Sequence, residues 1–350
     1  MENNILVIGN GYDLAHGLKT KYDDFIEYVK NKKYDKHSVN IYADEIKRIV
    51  EVEKNGFINY FLEYANTVPG WVDMEKLIKD IIEQFQDFFA NYKDYVKDNL
   101  FIENEMGFKI SKILGEFGLK TEKYQYRDGG KEFELSDYNK IYGLNTQKII
   151  RKLRMELDGL VKALENYFIL ETGLNPIDKT SQKLKQIADI RPSYVISFNY
   201  TTTYELYGIN EDNVHHVHGM INSNPNNMVL GFNDEDEENL DFVYFKKYFQ
   251  RIQKRTGYID ENRFHVVENQ YSITDVPVVT HFYGHSMDAT DKDVIEKLYD
   301  LSKQFIIYYL NQDDYEQKVI NLISVLGKEN ATDDIQQGRI KLVEISQKKI

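Results

Sequence analysis

The sequence predicts an α/β fold: one parallel sheet with helices on its faces, interrupted after the first strand by a large helical insertion. Three observations predict it. Ile5 to Ile8 is a short apolar run, mostly β-branched, and Gly9-Asn10-Gly11 follows at once; this reads as a buried strand running into a tight turn. From about residue 20 to residue 190 the apolar residues recur at helical spacing. From Ser193 onward short apolar runs alternate with helical stretches, the pattern of a parallel sheet covered by helices. A lone strand is not stable in water, so the first must join the later ones. The expected division is a Rossmann-like nucleotide-binding core over 1–30 and 190–350, with a helical insertion domain over 31–189.

Composition narrows the function. The chain has 350 residues, 42% of them hydrophobic, with 27 Tyr and 19 Phe, enough for a large aromatic core. A net charge of −13 disfavours nonspecific binding to nucleic acid, which wants a basic face. There is no cysteine, which excludes disulfides, thiolate metal sites and a cysteine nucleophile. No signal peptide is visible, and no apolar run approaches the roughly 20 residues that span a bilayer. A soluble cytoplasmic protein without a membrane partner is expected.

Taken in order, Thr20 and Asp23 resemble a capping box for a helix reaching about Val29. Residues 41–66 read as a helix, broken by Pro69 and Gly70. A second runs from about Trp71 to Asn99, with Leu77, Ile78, Ile81, Ile82, Phe85, Phe88 and Phe89 as its apolar stripe. Asp73 and Glu75 suit its first turn through the helix dipole. A loop or hairpin is expected around Gly129-Gly130, then helices over 146–172 and 179–188. Strands follow over Ser193–Tyr200, Asn213–Gly219 and Met228–Phe232, then an acidic loop from Asp234 to Asn239. Residues 241–256 carry Lys246, Lys247, Arg251, Lys254 and Arg255 and read as a helix with a solvated basic surface. Pro277 to Met287 is a strand ending in a glycine turn, and a helix with an acidic first turn comes next. Phe305–Leu310 is a buried strand; a helix over 313–326 and a strand at Arg339–Ile345 close the fold.

In an open parallel sheet, ligands bind beyond the carboxyl ends of the strands. Those ends collect Asn10, Asn199, His218 and His285. The strand, glycine turn and helix start at Ile5–Gly17 can present backbone N–H groups and a dipole to a phosphate, although Leu14 stands where the full dinucleotide fingerprint has its third glycine. The Asn199 amide suits a ribose hydroxyl, a water or a strand-end cap. His218 suits a general base or a hydrogen-bonded rim histidine. No metal is expected: His216 and His218 share one face of an extended strand, His215 points away, and no carboxylate lies within the motif.

Five stretches, GNGYDLAHGLKTKYDDF, WVDME, SFNYTTTYE, HVHG and GHSMDATD, occur in this order in the bacteriophage abortive-infection AbiH family, which the chain closely resembles over most of its length. That family is in turn distantly similar to the sirtuin-type NAD-binding fold. The resemblance implies that Gly9, Asn10 and Gly11 hold a pyrophosphate, that Asn199 lies near the nicotinamide ribose, and that His218 with Gly219 is the histidine-glycine pair. Gly284, His285 and Ser286 match the turn on the adenosine side. Asp13 and Glu75 are added as orienting or charge-stabilising candidates. Sirtuins have a glutamine before the asparagine and an aspartate two residues after it; this chain has Phe198 and Thr201. The zinc cysteines of deacetylases are absent, so the resemblance implies NAD hydrolysis instead. The expected protein is an anti-phage effector, an NAD glycohydrolase with Asn199 and His218 as catalytic residues, NAD as substrate and no metal. A phage trigger and a homo-oligomer are expected from the resemblance. The alternatives are a nucleotide-binding sensor without turnover, or a metal-dependent nuclease or phosphohydrolase using His216 and His218.

Overall fold

The computed structural model describes residues 3–34, 55–67, 73–97, 100–101, 108–125, 131–135, 144–174, 183–233, 240–257, 267–269, 272–273 and 277–346. Strand β1 (Asn3–Ile8) passes through Gly9 into α1 (Asn10–Ala15), and α2 (Tyr22–Tyr34) follows. Next come α3 (Gly56–Thr67), α4 (Met74–Ala90) and α5 (Tyr92–Tyr95). Strands β2 (Val96–Lys97) and β3 (Leu100–Phe101) precede α6 (Phe108–Glu116). Strands β4 (Lys120–Gln125) and β5 (Lys131–Leu135) precede the long α7 (Thr146–Leu174). Then come α8 (Lys185–Ile190), β6 (Tyr194–Ser197), β7 (Val214–His216) and α9 (Lys247–Lys254). The chain continues through β8 (Val267–Asn269), β9 (Ser272–Ile273), β10 (Val278–Tyr283) and α10 (Lys292–Leu301). It closes with β11 (Gln304–Tyr309), α11 (Gln312–Leu326), α12 (Lys328–Gln337) and β12 (Ile340–Glu344).

Two compact units result: Met1–Thr20, Phe168–Val229 and Arg251–Ile350 form one, and Lys21–Tyr167 with Leu230–Gln250 form the other. The first is built on six parallel strands in the order β12-β11-β10-β1-β6-β7. The chain starts in the middle of this sheet, builds outward on one side through β6 and β7, and returns to build the other side from β10. That is the doubly wound, Rossmann-like order with a topological switch between β1 and β10. Central parallel strands are covered on both faces, which is why β1 is a continuous apolar run. Ile5 and Val7 pack with Ile196, Phe282 and Ile307 on one side, whereas Leu6 and Ile8 pack with Val195, Tyr283 and Tyr308 on the other.

The end of α7 belongs to this unit, not to the insertion as the 31–189 boundary expects. Lys19 N–H donates to Glu171 Oε1 at 3.0 Å, and Phe168 stacks on Tyr200 at 5.6 Å. Met228–Phe232, expected as a strand, forms none. Val229 N–H makes one bond to the His218 carbonyl, and Phe232 makes one isolated bridge with Lys246. Helix α12 was not expected, because KENATDDIQQ is polar apart from the Ala331 and Ile335 that meet the core.

The second unit has an aromatic core: Phe57, Phe61, Phe85, Phe88, Phe117, Phe242 and Phe245 are all buried. Phe57 meets Phe117 and Phe245 at 4.9 and 6.5 Å, and Phe89 meets Phe242 at 5.5 Å. This is why 230–250 joins the insertion. The insertion is not purely helical: β2, β3, β5 and β4 form an antiparallel sheet. The β4–β5 hairpin was expected, though Gly129 and Gly130 lie outside the described residues, as do the first part of the 41–66 helix, the Trp71 start and the acidic loop of 234–239. Helix α4 begins at Met74, where Asp73 Oδ1 accepts from Lys76 N–H at 3.0 Å as an N-cap, and it ends at Ala90 instead of Asn99.

The basic stretch is also corrected. Lys246, Lys247 and Arg251 are buried rather than solvated, each because it has a specific neighbour. Lys247 Nζ meets Glu75 Oε2 at 2.8 Å, Lys246 lies 4.6 Å from the centre of the Phe232 ring, and Arg251 reaches Asp293 at 2.8 Å.

Candidate functional site

The turn after β1 and the turn after β10 cross at the switch point of the sheet. Gly9 N–H donates to the Tyr283 carbonyl at 3.2 Å, and Gly11 N–H to the Gly284 carbonyl at 2.9 Å. A Cβ on Gly9 would stand 2.7 Å from the Gly284 oxygen, and one on Gly284, whose φ is +67°, would stand 2.1 Å from Tyr12 N. These glycines therefore let two backbones touch. The N–H groups of Gly9 and Gly11, two of the three residues expected to face a pyrophosphate, thus donate to backbone carbonyls. Asn10 is exposed, and its Oδ1 accepts from the Thr20 hydroxyl at 2.5 Å. Thr20 is thus a tie between two segments, not the cap of α2; Asp24 Oδ2 accepts from Lys21 N–H instead.

Behind this crossing lies a buried acid. Asp13 is 1% exposed, and its Oδ2 accepts from the Thr201 hydroxyl at 2.6 Å. Thr201 and Thr203 share a further hydroxyl contact at 3.1 Å. Among the described residues nothing completes a hydrogen bond to Asp13 Oδ1. Burial pushes this carboxyl up to about 6, and the polar side chains of Thr201, Thr203 and Asn199 pull it partway back. Asn199 follows β6, and its amide N–H donates to the Gly9 carbonyl at 3.0 Å. Asn199 and Asp13 thereby hold the end of β6 to the start of α1.

On the neighbouring strand end two histidines share one carboxylate. His218 Nε2 stands 3.2 Å from Asp291 Oδ1, and His285 Nε2 stands 3.6 Å from Asp291 Oδ2. All three residues are buried. Phe198 presses edge-on against both rings, with centroids 5.3 Å from His218 and 4.2 Å from His285. Met287 N–H donates to His285 Nδ1 at 3.0 Å, so a neutral His285 carries its proton on Nε2, toward Asp291. The arrangement is a base with an orienting acid, screened from water by an aromatic ring.

Asp291 was missed. Read as sequence, DATDKD is an acidic first turn of a helix. The available signal was redundancy: Asp288 already caps the short turn by accepting from Thr290 N–H at 2.9 Å, and Asp293 pairs with Arg251. Asp291 sits at the N-cap of α10 yet makes no side-chain cap bond there.

The remaining candidates fall elsewhere. Glu75 belongs to the other unit, where it pairs with Lys247. His216 and His218 do not share surroundings as strand alternation predicts, because β7 ends at His216 and the chain turns. His216 contacts Tyr204 Oη and the Asn199 carbonyl, both at 3.3 Å. Burial lowers its pKa to about 4. Gly219, with φ +74°, is demanded by the Asn227 backbone, whose oxygen a Cβ would meet at 2.1 Å. Ser286 is exposed, and its carbonyl accepts from Asn321 Nδ2 at 2.8 Å.

Among the described residues, no group of three or more His, Cys, Asp or Glu side chains is arranged to hold a metal ion, and no helix is long and apolar enough to cross a membrane. Neither a curated protein nor a solved structure matches the chain. Residues 5–310, which include every side chain of the site above, match the family described as "Bacteriophage abortive infection AbiH", and the chain belongs to that family.

Proposed function

We propose that the protein carries out its abortive-infection role as an NAD glycohydrolase, releasing nicotinamide and depleting the host pool. One observation carries this reading: Asn199, His218 and Asp291 lie at the carboxyl edge of a doubly wound parallel sheet, beside its switch point. That edge is where a dinucleotide binds in such sheets.

The chemistry asks little of a general acid, because a positively charged pyridinium leaves as neutral nicotinamide. Water attacks C1′ of the ribose, the C–N bond to nicotinamide breaks with its electron pair going to the ring nitrogen, and a C–O bond forms. The proton lost by water goes to His218, and ADP-ribose and nicotinamide are released. Asp291 stabilises the resulting imidazolium and holds the ring in place. With its N–H tied to Gly9, Asn199 offers its Oδ1 as acceptor to the water or to a ribose hydroxyl. Phe198 keeps bulk water off the pair.

The test is nicotinamide release from NAD by the purified protein, beside Asn199→Ala and His218→Ala. Loss of general-base catalysis should lower the rate by roughly 10²- to 10⁴-fold for His218→Ala. Equal rates in all three proteins would remove both residues from the mechanism. NAD bound intact by all three would favour a sensor without turnover, and loss of activity with a chelator would favour a metal-dependent hydrolase.

A further inference from the structure

We propose that Arg251 is the anchor of a binding site for an oxyanion, a phosphate or carboxylate group, in the sheet-bearing unit. Arg251 lies in the second half of α9 and is 2% exposed. Among the described residues its guanidinium makes one bond: Nη1 donates to Asp293 Oδ2 at 2.8 Å, and that Asp293 side chain is 58% exposed. Among the described residues, neither Nε nor Nη2 has a hydrogen-bond partner, and both are buried. These two nitrogens form the side-on fork of the guanidinium, whose parallel N–H groups match two oxygens of a phosphate or carboxylate. The Thr256 hydroxyl, buried and likewise without a partner among the described residues, lies on the same fold of chain. Thr256 N–H donates to the Arg251 carbonyl at 3.0 Å, and a Cβ on Gly257 would stand 3.0 Å from Arg251 Cβ.

A buried cation with two idle donors, balanced only by a largely hydrated carboxylate, is strongly unfavourable unless something completes it. A trapped water can accept from one donor or the other but brings no charge. An oxyanion supplies both acceptors in the geometry of the fork, together with a negative charge beside the buried nitrogens that the largely exposed Asp293 does not reach. The adjoining backbone is also held: Lys254 Nζ bonds the Met228 carbonyl, and Val229 N–H bonds the His218 carbonyl. An anion on Arg251 thus sits on a frame continuous with His218 and, through Asp293, with the first turn of α10, which Asp291 precedes as N-cap. The inference does not depend on NAD being cleaved.

The experiment is thermal melting and calorimetric titration of the full chain with inorganic phosphate and pyrophosphate, each against chloride at equal ionic strength. The expected result is a rise in Tm that grows with anion concentration as ligand linkage requires. Arg251→Met should abolish it, and Arg251→Lys, which keeps the charge without the fork, should weaken anion binding at least tenfold. Should Arg251→Met fail to fold, Arg251→Lys and Thr256→Val carry the comparison. Displacement of phosphate by ADP-ribose would identify the anion as part of a dinucleotide; phosphate binding that persists under saturating ADP-ribose would identify a separate phosphate-bearing effector. No stabilisation of the unaltered protein by either anion, or equal stabilisation of the protein and its Arg251 variants, overturns the proposal and leaves only water at the fork.

Discussion

Asp291 Oδ1 lies 3.2 Å from His218 Nε2, so a carboxylate from the start of α10 meets an imidazole from beyond the end of β7. Neither motif implies the other in sequence. The pairing makes Asp291 a positioning residue with a measurable signature. Asp291→Asn is expected to lower kcat for nicotinamide release by roughly 10- to 100-fold with a smaller change in KM. The acid limb of its pH–rate profile should move to lower pH, since a neutral amide no longer favours the protonated ring. A purely structural role would lower activity without moving that limb.

Asp13 should make stability depend on pH in a defined direction. Its folded pKa of about 6 lies above the ordinary 3.8 of an aspartate, chiefly through burial. The folded state therefore holds the proton more tightly, so its contribution is fully present below pH 4 and is lost as pH rises through 6. Urea unfolding of the protein and Asp13→Asn at pH 4 and pH 7 should show the difference shifting by roughly 2 kcal/mol in favour of the variant at the higher pH. A pH-independent difference would show that folding does not shift the Asp13 pKa.

His216 and His281 act with the opposite sign. Burial lowers both pKa values from 6.5 to about 4. The unfolded chain binds protons first, so stability falls as pH drops from about 6.5 toward 4. Replacing His216 by Gln should flatten the acid side of the stability profile measured by thermal melting. An unchanged acid slope would assign acid sensitivity to other groups.

The crossing glycines are predicted to be unequal to ordinary turn glycines. Gly284 and Gly208 both have positive φ, +67° and +74°, but only Gly284 has backbone atoms where a Cβ would go. Gly208→Ala should cost about 1–2 kcal/mol from backbone strain alone. Gly284→Ala should cost about 4 kcal/mol or more, because Tyr12 N cannot move without β1 and α1. Similar melting temperatures for the two variants would show that the crossing yields.

The elements were legible where one face of one segment carries the information. Ile5–Ile8, Val278–Tyr283 and Phe305–Tyr308 read as strands because each packs on both sides of the sheet, although Leu310, expected at the end of the last of them, is exposed and outside β11; Leu77–Phe89 reads as a helix because its stripe packs inward. Met228–Phe232 misled for the same reason: apolar residues mark burial, and burial here comes without a ladder of hydrogen bonds. Lys247 and Arg251 misled in the opposite sense, since charge in a sequence suggests water until a specific partner is seen.

The sequence by itself determined the fold class, the glycine turn and the polar residues that end β6 and β7, because hydrophobic periodicity and glycine are local physical constraints. The tertiary structure alone decided that Gly9 and Gly11 donate to the Tyr283 and Gly284 carbonyls, that Thr20 reaches Asn10, that Glu75 serves Lys247, and that Asp291 joins His218. Apart from Thr20 with Asn10, those are pairings between segments far apart in the chain. Which of several similar side chains meets a partner depends on the packing that brings the segments together, and no single segment carries that geometry.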